Sequence, residues 1–153
     1  MTDPATGFQT NLLTGLAVYL AAAASIGATW NTSGVYMPGQ TGIVLGNIPT
    51  TPDRIITLSV YDSGHHPSLS TSNYRLQIRC RWGGQDKRYV DNLDDAIFDL
   101  LAASQHLILS TGVHITQIQP VSGPLPLGQD TNNRWSLSHN YELTVHRPST
   151  NRT

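Results

Sequence analysis

Residues 74–82 alternate apolar and polar side chains without a break. Tyr74, Leu76, Ile78, Cys80 and Trp82 interleave with Arg75, Gln77, Arg79 and Arg81, and Gly83-Gly84 stops the run. A strand's side chains repeat every two residues, so one face of this segment belongs to a core and the other is wet and cationic. Such a strand fits an antiparallel sheet covered on one side only. Its exposed arginines call for acidic neighbours, supplied by Glu142 across the sheet, by the aspartates near residue 95, by a sister subunit or by another protein.

The chain of 153 residues is read as a single domain over 1–153, and its 39% hydrophobic residues suffice for a core without metals or staples. Charged residues are only 12%, where about 25% is usual. A formal charge of -1 supplies no global basic field, so bulk binding to nucleic acid is not expected. The one cysteine, Cys80, falls on the core face and has no intrachain partner, which makes it a small buried hydrophobe. The apolar stretch at residues 12–28 lacks a signal peptide's positive lead-in, with Asp3 standing there instead, and it is too short and polar for a membrane span. A soluble chain is expected.

Phe8, Leu12, Leu13, Leu16 and Leu20 recur at helical spacing and predict a helix over 8–24, ended by Gly27. Residues 30–46, rich in Gly, Thr, Asn and Ser, read as loop with at most a short edge pairing at Ile43-Val44-Leu45. A strand follows at 54–61, an exposed connection at 63–73, and then the arginine strand. Val90, Leu93, Ile97, Leu100 and Leu101 predict a second helix over 88–106, with Gly112 closing the segment. Residues 113–121 resemble a strand in which Pro120 marks an edge or a bulge, and 122–133 read as a Gly/Pro loop. The last strand spans 134–147, with Trp135, Leu137, Tyr141, Leu143 and Val145 on one face and Pro148 ending it. The order α-β-β-α-β-β predicts an α+β fold, a mostly antiparallel sheet of about four strands with two helices packed on one face.

The search for chemistry yields little. Six histidines are present (His65, His66, His106, His114, His139, His146), but none lies at helical i, i+4 from another and no HExxH or Cys/His framework exists. Asp94, Asp95 and Asp99 are read as a solvated helix face rather than a carboxylate pair of the general acid/base kind. No GxSxG elbow or phosphate-cradling glycine loop occurs. A small hydrolase built on Ser63 with His65 or His66 is the enzymatic alternative, and a generic α+β binding module is another.

Taken together, several segments resemble a known family. They are Ile48-Pro49-Thr50-Thr51-Pro52-Asp53-Arg54-Ile55 leading into a strand that ends Val60-Tyr61, the strand with Arg79 to Trp82, the helix around Asp94-Asp95-Ala96, and the closing Arg134-Trp135 with Asn140 to Pro148. In order and spacing they are similar to the small minor capsid or tail terminator proteins of long-tailed bacteriophages. The resemblance implies a non-enzymatic virion protein of the tail or neck, without cofactor, assembled in the host cytoplasm. It implies a hexameric ring that caps the tail tube, stops its polymerisation and offers the head connector a docking surface. Its partners would be copies of itself, the major tail tube protein and the connector or stopper, with DNA passing through the ring without specific contacts. A head-completion or stopper protein of the neck is the nearest alternative. The resemblance carries no residue-level binding motif. The residues put forward for ring or partner contact are Arg75, Arg79 and Arg81, Pro38 and Gly39 in the first glycine-rich loop, and Gln129 and Asn132 in the second.

Overall fold

The computed structural model describes residues 6–153, and Asp3, which argued against a signal peptide, lies outside them. The elements are α1 (Phe8–Ala22), β1 (Ala28–Trp30), β2 (Thr41–Val44), β3 (Arg54–His65), β4 (Thr71–Gly83), α2 (Arg88–Leu101), β5 (Gln105–Ile108), β6 (His114–Gln129) and β7 (Arg134–His146). All the strands join one open sheet in the order β1-β2-β3-β4-β7-β6-β5. The β1–β2 and β2–β3 pairs are parallel and the rest antiparallel. The class is α+β, but the expected four-stranded, mostly antiparallel sheet is incorrect: the sheet is mixed and has seven strands.

Each added strand has a physical origin. β2 overlaps the short edge pairing expected at Ile43-Val44-Leu45 and pairs along β3; β1, of which only Trp30 falls in the stretch read as loop, pairs along β2 in turn, so each extends because the strand beside it offers an edge. The first two residues of β5 fall within the span that the sequence predicts for the second helix. That helix stops earlier, at Leu101, where Ala103 turns left-handed (φ 61°), the Ser104 hydroxyl donates to Leu100 O at 3.0 Å, and the chain reverses into β5. β6 continues through the segment read as a Gly/Pro loop. Prolines are tolerated there because β5 covers only its first residues, leaving the remainder as an edge where a missing N–H breaks no ladder bond. Register shifts on both sides of Ser122 confirm the irregularity signalled by Pro120.

The helices and one face of the sheet share a single apolar cluster. Leu12, Leu16 and Leu20 of α1 and Leu93, Ile97 and Leu101 of α2 meet Tyr74, Leu76, Ile78 and Cys80 of β4. Each fully buried Leu or Ile contributes about 1.5–3 kcal/mol relative to leaving it exposed. The opposite face carries a smaller cluster of Tyr36, Val44 and Ile55 beneath the loop at 31–40. No helix among the described residues is long and apolar enough to cross a membrane.

Candidate assembly surface

β4 presents its arginines on the sheet face away from the helices, and the three side chains have different fates. Arg75 pairs with Glu142 directly opposite on β7, Nε to Oε2 at 2.8 Å, as the cross-strand reading anticipated. Arg81 is buried: its Nε donates to Asp53 O at 3.0 Å and its Nη2 to Pro49 O at 2.8 Å and Pro52 O at 2.7 Å. Arg134 joins it, with Nη1 donating to Thr50 O at 2.5 Å. Two guanidiniums therefore hold the carbonyls of the 49–53 loop, and burial, then the nearby Arg134 charge, lowers the pKa of Arg81. Only Arg79 is exposed, and among the described residues its guanidinium has no hydrogen-bond or ion-pair partner.

Around Arg79 the face is polar, with Arg79 and Gln77 exposed and Thr57 and Ser138 buried. Its neighbours in register are Thr57 on β3 and Ser138 on β7, with Ser59, Gln77 and Asn140 in the adjoining row. Beyond β3 the 31–40 loop covers this face, and the 49–53 loop covers its Arg81 end. The 31–40 loop is internally fastened: the Tyr36 hydroxyl donates to Ile43 O at 2.5 Å, its ring lies on Gly42, and Asn31 Oδ1 accepts from the Ser33 N–H at 3.0 Å. Pro38 and Gly39 are exposed on its far side. Gln129 and Asn132 lie at the β6–β7 turn, where Gln129 Nε2 donates to Gly84 O at 3.2 Å and Asp130 Oδ1 accepts from the Asn132 N–H at 2.9 Å. The candidate residues thus fall in three places: the polar face, the loop beside it and the turn at one end of the long strands.

On the helix side, a groove runs between α2 and β6. One part of it, about 300 Å³, is lined by Asp94, Asp95, Phe98, Val121, Pro124 and His139, among others. At its floor the buried Asp94 carboxylate meets His139 Nδ1 at 3.1 Å to each oxygen, and His139 stacks between Phe98 and Tyr141. Asp94 is therefore not the solvated residue expected from the sequence. Burial raises its pKa, outweighing the opposing hydrogen bond from His139, and burial likewise raises the Tyr141 phenol and the Cys80 thiol. The signal was present: Asp94 stands one turn after Val90 on the buried stripe of its helix, and His139 occupies the gap in the apolar face of its strand between Leu137 and Tyr141.

The hydrolase constellation takes a structural form. Ser63 Oγ donates to Glu142 Oε1 at 2.7 Å rather than meeting a histidine. His65 instead lies between Asp62, at 3.1 Å, and Ser72, at 2.7 Å, and its hydrogen bond lowers the Asp62 pKa. Ser72 is 1% exposed and also accepts from Arg152 Nη2 at 2.7 Å, so this set fastens the β3–β4 hairpin. Among the described residues no three His, Cys, Asp or Glu side chains converge as metal ligands would.

A polar sheet face, an ordered loop and an apolar groove suit assembly. The profile of bacteriophage tail terminator proteins matches residues 23–147. The chain belongs to this family. As a tail terminator family member it is a structural protein of a phage tail, a virion component, and the membership points to a non-enzymatic role. Among solved structures, a chain described as "Virion of native gene transfer agent (GTA) particle" shares the fold, with a TM-score of 0.60 at 16% identity over 86% of this chain and 93% of that one. No curated protein matches the sequence.

Proposed function

We propose that copies of this chain close into a ring, hexameric by the family resemblance, that caps the tail tube, ends its polymerisation and gives the head connector a surface on which to dock. The observation that carries the reading, beside the family membership, is the second sheet face: polar, overlaid by the 31–40 and 49–53 loops, and bearing Arg79, exposed and without a partner among the described residues. A formal charge of -1 per copy lets subunits crowd around an axis with little mutual repulsion. In this reading the ring contacts the major tail tube protein on one side and the connector or stopper on the other, DNA passes through it, and assembly takes place in the host cytoplasm. Pro38 and Gly39, and Gln129 and Asn132, lie on exposed loop or turn positions open to these neighbours.

Electron microscopy of particles made without this gene tests the assignment. Overlong tubes are the expected result. Tails of normal length detached from their heads would make the chain a stopper instead, and unaltered virions would remove it from this step altogether.

A further inference from the structure

The two ends of the sheet order carry features of complementary shape and charge. At the β1–β2 end, Tyr36 anchors the 31–40 loop onto the sheet, so that its neighbours Val35 and Met37 stand 72% and 70% exposed. Large apolar side chains displayed by a fastened loop are costly in water and are a feature of contact surfaces. On the same face, Arg79 lies two strands from Val44 in register, close to the loop, with no partner among the described residues. Near the other end and on the opposite face is the α2–β6 groove. Phe98 (37% exposed) and Val121 (46%) form its apolar walls. On its helix side Asp95 and Asp99, one turn apart, are exposed and have no cationic partner among the described residues. Like charges at i, i+4 repel, and a cation brought between them would relieve that.

Strand addition does not explain the groove. Along the free part of β6, Pro120, Pro124 and Pro126 remove backbone donors, which blunts an edge against pairing with another strand. Contact there is left to side chains.

From these placements we infer that the Val35–Met37 knob of one copy seats in the α2–β6 groove of the next, with Arg79 of the first copy meeting Asp95 of the second. Knob and groove are different patches on different faces, so the contact is head-to-tail, the kind that generates a ring when the rotation closes. The inference rests on the ring reading above and names the surfaces that make it.

The test places Met37→Cys and Val121→Cys in one phage-encoded chain and treats purified virions with a mild oxidant. Both positions are exposed, and the native Cys80 is buried and out of reach. The double variant is expected to give a ladder of cross-linked copies, while each single variant gives no species beyond the dimer. A double variant whose particles cap their tails normally but show no ladder would overturn this interface and leave the ring reading standing. So would failure of the double variant, kept reduced, to form particles that both single variants form. A charge exchange supplies a second measurement: Arg79→Glu and Asp95→Arg are each expected to lose capped tails, and the two together to restore them. Loss without restoration in the combined variant, with its melting temperature unchanged, would also overturn the pairing. Tail lengths of the gene deletion score the ring reading separately.

Discussion

Arg79 and Arg81 share a strand face and differ in everything else, because one meets solvent and the other meets the carbonyls of Pro49, Pro52 and Asp53. Replacing Arg81 with Met keeps an unbranched apolar stem and leaves those acceptors unpaired, which should cost about 2–3 kcal/mol. Denaturant unfolding of Arg81→Met would measure it. A substitution of both arginines would therefore confound unfolding with lost assembly, and Arg79 alone is the clean probe of the surface. The buried Asp94 makes a prediction with a sign. Its pKa is raised in the fold above the ordinary 3.8, mainly by burial, so the folded state holds its proton more tightly than the unfolded chain. Its contribution is complete below the unfolded value and is lost as pH rises through the folded one. Asp94→Asn keeps an oxygen that can accept from His139 and cannot titrate. The melting temperature of the wild type relative to Asp94→Asn should fall as pH rises from about 3.9 and level off once the folded carboxyl has ionised; a difference independent of pH would refute the assignment.

Elements in this chain are held by packing more than by their ends. α1 starts at Gly7 without a side-chain cap and gains its place from Leu12, Leu16 and Leu20 in the core. Its Gly15 is the point of closest approach: a Cβ there would lie 2.7 Å from Thr111 Oγ1 and 2.8 Å from Leu109 Cβ. Thr111 also donates its hydroxyl to Asn11 O at 2.6 Å, so the turn that it occupies is pinned to the helix and cannot easily retreat. Gly15→Ala sets a helix-propensity gain of about 1 kcal/mol against an overpacking cost of about 1–3 kcal/mol. A net loss of roughly 1 kcal/mol is expected in thermal or urea unfolding, opposite to what a solvent-facing helix position would give. At the end of α2, the left-handed residue is Ala103 rather than the glycine that usually marks a helix stop, and Gly112 comes too late. That absence of a signal is why the sequence reading ran the helix into β5. The second half of β6 is hidden for the opposite reason: the Gly and Pro content of residues 122–129 is ordinary for a loop and becomes strand only along the edge of β7.

For the whole molecule, an exposed cation on a polar sheet face, in a chain that reads as one domain, separates stability from assembly. Arg79→Glu, at an exposed position without a partner among the described residues, should change the unfolding free energy by no more than about 0.5 kcal/mol while abolishing capped tails. Equal losses of both would mean that the residue supports the fold instead. The alternation at 74–82 and at 134–147 sufficed to define two long strands and the buried Cys80, since strand period is a local consequence of residue order, and it made Glu142 one of the acidic partners open to the arginines. Helix spacing located both helices for the same reason. Three matters were decided only by contacts distant in sequence: that residues 28–30 and 105–108 are strands, that Arg81 turns inward while Arg79 does not, and that Asp94 and His139 meet across 45 positions. Each depends on which backbone or side chain arrives alongside, and an edge, a carbonyl cluster or a buried partner exists only after the chain has closed on itself.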